Sequence, residues 1–396
     1  MHEYFYPILF GIILLQLYFM PDIRLGVVTA IVIIFLAING INKRTILSNT
    51  IENKIVLAYI TYNTVSIVLY VINGIPLSVF VAEWSNSILP ILFYYFAQKN
   101  IDNSSTFYEK TLYVLILSFA IGFYLWISES SMYRIFMNTT EGLGTDLLFF
   151  QSLFGLTATG AFGIIGFIIS ASLIFKSNGA NGKIALIICA IAAMLTFRRA
   201  ALLVLLMAII AFHYLGYYKY RYIKRIYIVA ELIFFYLVYM VVYDQYGNLI
   251  DSVFERGGMI SDAFETRNAA WEHAFDYPYL ITGRGLGSVG HKALEYSEIL
   301  IPDGNYFKII AETGIIGFSL FASILVLATV NGIKNLREDY MQLGIVLAMC
   351  LIAVGSNIFT YQSIAPIFWF SVGKLLLRNK VSPCKSIGVE NHRTTS

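Results

Sequence analysis

Charge is scarce in this sequence. Asp, Glu, Lys and Arg make up 13% of the 396 residues, against about 25% in a soluble globular domain. An ordinary water-soluble enzyme is thereby excluded. Cysteine is rarer still. Cys189, Cys350 and Cys384 are scattered, which excludes a disulfide framework and any cysteine-based metal spacing. No metal site is expected and no cofactor is called for. The net charge of +3 is spread among the loops, so nucleic acid is not an expected partner. The opening HEYFYPILF has no basic start and no small-residue cleavage site after it, so the first apolar span is expected to be retained. No cytoplasmic nucleotide-binding segment appears, which argues against ATP-driven transport by this chain alone. No two halves of the chain match, as they often do in transporters.

Apolar residues are abundant. They form 58% of the chain, the mean hydropathy is +0.72, and they come in blocks long enough to cross a ~30 Å hydrocarbon core. The expected fold is all-α: a polytopic membrane protein of about twelve spans, near 4–20, 25–41, 55–73, 77–97, 111–127, 149–175, 184–197, 200–216, 226–243, 305–330, 339–356 and 362–377. Residues 1–243 hold spans one to nine, 244–304 one large loop, 305–377 spans ten to twelve, and 378–396 a tail. The seventh and eighth spans are short, and one long helix broken between them is the rival count. Lysine and arginine collect on one side of this layout: Lys43, Arg44 and Lys54, then Lys99 and Lys110, Lys176 and Lys183, the loop YYKYRYIKR, Lys334 and Arg337, and the tail. That side is expected to be cytoplasmic, with both termini inside and 244–304 outside.

The run LTFRRAALLVLL sets Arg198 and Arg199 between the two short spans. An arginine at the bilayer centre costs about 2.5–3.5 kcal/mol; the span layout puts this pair at the outer end instead. There it either snorkels to headgroups or grips an anion through its planar fork.

The long loop carries three further features. SDAFETRNAAWEHAFDYPY has helical spacing of Phe264, Trp271, Ala274 and Phe275, ended by Pro278. It predicts a short interfacial helix with Trp271 and the tyrosines as anchors. Arg267 would pair on a wet surface with Glu265 or Glu272, or face a ligand. In ITGRGLGSVG, Gly285, Gly287 and Gly290 match the dinucleotide fingerprint to the letter, but no strand–helix unit surrounds them and that reading fails. The glycines allow a tight loop whose amides can approach a ligand, with Arg284 inside it. In LIPDGNYFKIIAETGIIGFSLF, Asp303 or Asn305 is expected to cap the tenth span. Glu312 falls two turns in, where a carboxylate must be paired or face water. Gly314 and Gly317 allow close helix packing. Glu83, toward the outer end of span four, and Glu231 in span nine are the main other intramembrane charges. Glu83 lines an outward-opening cavity floored by the arginine pair or lies near the headgroups.

Arg267, Trp271 and Ala274, then Gly283-Arg284-Gly285-Leu286-Gly287, then the tract from Asn305 through Glu312 and Gly314 to Gly317, resemble the signature of the O-antigen polymerase and ligase family. The motif covers about 190–320, and the span layout resembles that family throughout. FRRAALL resembles its mid-chain helix opened by arginine. The resemblance implies glycosyl transfer on the outer face of a bacterial cytoplasmic (inner) membrane, from a glycan on undecaprenyl pyrophosphate to an acceptor hydroxyl, without a metal. Arg198, Arg199, Arg267 and Arg284 would stabilise the pyrophosphate. Arg267, Asp303, Glu312 and His291 are candidate catalytic groups. Trp271, Gly285, Asn305 and Tyr306 would contact the glycan or shape its loop. A solvated, non-catalytic His291 is the plainer reading of that residue. Implied partners are the lipid-linked glycan, membrane lipid and a chain-length regulator protein. The ligase branch carries a histidine just before the asparagine. Here Gly304 stands in that place, preceded by Asp303, which favours the polymerase branch. The alternatives are a ligase, and a flippase or transporter of lipid-linked oligosaccharide.

Overall fold

The computed structural model describes residues 2–19, 25–41, 49–72, 75–99, 104–128, 150, 152–154, 156–177, 180–196, 198–215, 267–297, 299–301 and 303–377. The expected span 226–243 with Glu231, the loops 129–148 and 217–225, Lys43, Arg44, Phe264, Glu265 and the tail with Cys384 lie outside them.

The described chain is helical: α1 Phe5–Phe19, α2 Leu25–Gly40, α3 Ile51–Val65, α4 Ile67–Ile72, α5 Leu77–Ser87, α6 Leu92–Lys99, α7 Ser104–Ile127, α8 Leu156–Ser177, α9 Ala180–Met194, α10 Arg199–Leu215, α11 Asn305–Lys334, α12 Leu336–Ile352 and α13 Ala365–Leu377. Four stretches among the described residues are long and apolar enough to cross a membrane: Leu77–Gln98, Ser105–Ile127, Ala158–Lys176 and Asn305–Lys334. Shorter apolar helices accompany them. Outward faces carry exposed Phe35, Ile38, Tyr113, Leu203, Ile210 and Val326, a pattern suited to lipid and not to water. The chain is a multi-pass membrane protein.

Packing follows small residues and rings. A Cβ on Gly163 would come within 2.7 Å of the Ala193 Cβ, and one on Gly166 within 2.5 Å of the Cys189 sulfur. These glycines therefore let α8 and α9 close together. An aromatic core joins α1, α6, α7 and α13 through Phe5–Phe93 at 4.9 Å and Phe107–Phe370 at 4.2 Å between ring centres. The Tyr108 hydroxyl meets Ser371 Oγ at 3.0 Å, so its one buried polar tip is satisfied.

Two expected spans differ in outline, and a third question, the break between two short spans, is answered. The span expected from 149 begins at Leu156. Upstream, Phe150 N donates to Leu195 O at 3.1 Å and Ser152 N to Thr159 Oγ1 at 2.7 Å, bonds that compete with a helical backbone. The span expected at 55–73 breaks at Ser66, whose hydroxyl donates to Asn63 O at 2.7 Å. The arginine pair separates two helices, because α9 ends at Met194 and α10 starts at Arg199; the single long helix is excluded.

Candidate functional site

The head of α11 sets the site. Its N-cap is Gly304, at φ +95°, and no side chain caps it. Neither expected cap serves. Asn305 is buried, and its Oδ1 accepts from Phe359 N at 2.9 Å. The Asp303 carboxylate instead accepts from Arg267 Nη2 at 2.9 Å, which replaces the expected Glu265 or Glu272 pairing. Trp271 Nε1 donates to the Asp303 carbonyl at 2.8 Å, and its ring stacks on Phe307 at 4.4 Å and 9°. A Cβ at position 304 would lie 2.8 Å from that same Nε1. Glycine is therefore required both by φ and by space.

The helix carrying Trp271 ends as expected. Residues 267–272 are helical, a 3-10 turn His273–Phe275 follows, and Pro278 lies beyond it. Its inner face is not a lipid anchor. Ala274 is buried with Val289, Ile301, Ile310 and Ala311, and Trp271 packs against α11. Phe275, Tyr277 and Tyr296 are exposed rings.

The glycine loop is spliced into a broken helix. Gly314 has φ +65° and ψ −174° inside α11, a region that is essentially glycine-only. Ile315 and Ile316 therefore turn away from Ala311 and Glu312 and donate to Leu280 O at 2.9 Å and Ile281 O at 3.4 Å. The two freed carbonyls are taken by Arg284 N at 2.9 Å and Gly285 N at 2.8 Å. Every backbone group lost at the break is thus re-paired, as apolar surroundings demand. The break at Ser66 receives the loop's other side: Leu286 N donates to Ser66 Oγ at 3.3 Å, and Tyr62 donates to Thr282 O at 3.0 Å. Close packing was the expectation for Gly314; it is a helix break instead. Gly317 does pack closely, since a Cβ there would lie 3.1 Å from the Tyr62 ring of α3. Gly285, expected at the glycan, is buried, with a Cβ position only 3.0 Å from the Tyr70 ring. The amides of residues 284 and 285 face helix carbonyls and leave none for a ligand.

Beneath this loop lies a buried charge cluster. Lys308 Nζ meets Glu83 Oε1 at 2.5 Å and Glu312 Oε1 at 3.7 Å, with all three side chains buried. Glu83 therefore belongs to the interior and not to the headgroups. A cavity of about 20 Å³ touches Asn305, Lys308, Glu312 and Ser87, room for about one water. It has no room for a sugar.

Arg284 forms a second set. Its Nη2 donates to Asp276 Oδ2 at 2.9 Å, and its guanidinium lies 4.1 Å from the Tyr279 ring centre. His273 Nδ1 shares that carboxylate oxygen at 3.0 Å. Arg198 stands on another element, at the head of α10 and half-buried; its carbonyl accepts from Leu202 N at 2.9 Å. Arg199 opens α10 and His291 begins a 3-10 turn; the side chains of both lie outside the description. Tyr306 donates to Cys350 O at 2.8 Å and lines an apolar groove of about 530 Å³ between α8, α10 and α12, with Phe175, Met207, Phe212, Leu347 and Leu351.

The structure thus brings Arg267, Trp271 and Asp303 together, and Glu312 with Lys308 and Glu83. Sequence reasoning missed Lys308 and Asp276. Lys308 had a signal: a lysine four residues before a glutamate in an apolar helix is an ion pair on one face. Asp276 had none, because its partner is set by the loop's path.

Residues 184–322 match the family model Wzy_C, described as O-antigen ligase. This segment is similar to the O-antigen ligase domain. O-antigen ligases and polymerases share the domain, and both are membrane enzymes that act on lipid-linked glycans. No curated protein matches the chain. The domain spans the arginine pair of α10, the Arg267–Asp303 pair, the glycine loop and the break in α11. Of the buried cluster only Glu83 comes from outside it.

Proposed function

We propose that the protein polymerises glycan repeat units carried on undecaprenyl pyrophosphate, on the outer face of the bacterial cytoplasmic membrane, with 244–304 outside and both termini inside. The observation that carries this reading is Arg267 held 2.9 Å from Asp303 at the head of a spanning helix. An anion-binding fork and a carboxylate then sit side by side where donor and acceptor would meet. Arg267 takes the leaving pyrophosphate, and Arg198, Arg199 and Arg284 add positive charge. Asp303 receives the acceptor proton. It suits this role better than Glu312, which is sealed beneath the loop and paired. The groove running along α10, the helix that the arginine pair opens, has the chemistry to accept the polyprenyl tail.

Polymerase is favoured over ligase by Gly304. The ligase-branch histidine would stand there, and a side chain at φ +95° would strike Trp271. The ligase reading keeps the family description on its side. A deletion strain separates the two. Loss of polymer with a single repeat left on the lipid supports polymerase. Full-length polymer stranded on undecaprenyl pyrophosphate would establish the ligase. Loss of outward-facing lipid-linked repeats would establish a flippase.

A further inference from the structure

Arg267 and Arg284, the two loop arginines among the described residues, are held differently. Arg284 is enclosed, with its side chain 17% exposed, and is gripped by Asp276 and the Tyr279 ring. Arg267 is 44% exposed and its partner Asp303 is 36% exposed. Exposed ion pairs of this kind are weak and exchange partners readily. The main chain of Asp303 is another matter. Trp271 Nε1 holds its carbonyl, Phe307 backs the indole, and Gly304 admits nothing larger. The Asp303 carboxylate therefore sits on a fixed base and is closed off by a movable cation.

We infer that the Arg267–Asp303 pair is a donor-operated latch: the pyrophosphate of the incoming lipid-linked glycan draws Arg267 off Asp303 and thereby frees the base. This rests on the glycan-transfer reading above. A pyrophosphate carries more charge than a carboxylate and accepts both arms of a guanidinium. It outcompetes Asp303 for the fork. The released carboxylate, still placed by its main chain, accepts the proton of the acceptor hydroxyl. That oxygen forms the new bond to the donor's anomeric carbon. The bond from this carbon to the pyrophosphate oxygen breaks, and its electron pair leaves on the lipid pyrophosphate under Arg267. When the lipid product departs, Arg267 returns to Asp303 and the proton passes to water. Before the donor arrives Asp303 is occupied, so the order of addition is donor first.

The latch makes one demand that a merely structural ion pair does not. Asp303 competes with the donor for Arg267, so removing its charge must tighten donor binding while slowing turnover. The test uses the full chain in lipid nanodiscs, with undecaprenyl pyrophosphate as the binding probe and undecaprenyl phosphate as the control. Asp303→Asn is expected to bind the probe about two- to fivefold more tightly, the typical strength of an exposed pair, and less so at high salt. Its transfer rate from lipid-linked oligosaccharide should fall on the order of 100-fold. Asp303→Glu, which keeps the charge, should recover part of the rate and lose the tighter binding. Unchanged or weaker binding by Asp303→Asn overturns the latch. Failure of the unaltered protein to prefer pyrophosphate over phosphate sinks the transfer reading itself, a different result from either.

Discussion

Replacing Lys308 by methionine isolates the buried cluster. The ammonium lies 2.5 Å from Glu83 and 3.7 Å from Glu312, and the three residues are 4%, 5% and 2% exposed. Methionine fills similar space and removes the only cation within ion-pair distance of both carboxylates among the described residues. Breaking a buried pair typically costs about 3–5 kcal/mol, because the remaining charge stays desolvated. Two carboxylates are left here, one on α5 and one on α11, so the upper end applies. An unfolding entropy of about 2.1 cal/mol/K per residue, taken over a 396-residue chain, converts that loss into a fall of about 4–6 °C in Tm. The assay is a thermal ramp of detergent-solubilised protein read by size-exclusion chromatography. The swap Glu83→Lys with Lys308→Glu restores one cation facing two carboxylates and should recover at least half of the loss. Normal yield of Lys308→Met with a Tm within about 1 °C of the unaltered protein would refute the argument, since it would mean that the pair contributes no more than a surface ion pair does.

Gly314→Ala should abolish folded protein in the membrane fraction, since the residue sits in a glycine-only conformation and its Cβ would strike the Ile281 carbonyl; strain alone costs roughly 1–3 kcal/mol. Gly11→Ala is the control: no atom lies within 4 Å of its Cβ position, and melting should hold or rise, by up to about 1 kcal/mol of helix propensity. Arg267→Lys, Arg198→Lys and Arg199→Lys keep charge but lose the fork, so at least Arg267→Lys should shorten polymer ladders on gels at normal protein level, with a rate loss on the order of 100-fold. Wild-type ladders from all three would leave the arginines as anchors. Cysteines placed at Ser252 and Ser297 should react with an impermeant thiol reagent in intact spheroplasts while Cys384 does not; labelling of Cys384 alone would invert the topology.

Sequence periodicity located the helices of the described residues because apolar blocks in a membrane chain are long and unambiguous. It also placed the break at the arginine pair, where the charge stands out. It misplaced the start of α8, where Phe150 and Ser152 bond to Leu195 and Thr159; no local pattern announces the Phe150–Leu195 bond, made across 45 residues of chain. The role of Ser66 as the seat of Leu286 depends on a loop 220 residues away, which no local pattern shows. Gly314 and Gly317 read alike as small residues three apart, yet one breaks its helix and the other lets α3 approach. Only the loop that fills the break tells them apart. Asp303 and Arg267 were each legible as candidates, and their pairing was not, because sequence says nothing of which carboxylate a loop arginine will meet.

The splice has a consequence for the site. Four backbone hydrogen bonds tie residues 280–285 to α11 around Gly314, so the loop cannot lift without exposing unpaired groups in apolar surroundings. Asp303 lies just before the other end of the same helical segment. Residues 305–313 form about two and a half turns, roughly 14 Å at 1.5 Å per residue. That rod fixes the distance between the base of the Arg284 loop and the carboxylate at the helix head. Arg284 and Asp303 are thus set by one rigid piece of backbone, while Arg267 reaches the same head from a separate short helix. A catalytic constellation gains most when its fixed members share a rigid element and its movable member does not. In the latch proposed above the movable member is Arg267, and the glycines at 304 and 314 are what allow the two ends of the rod to be gripped so closely.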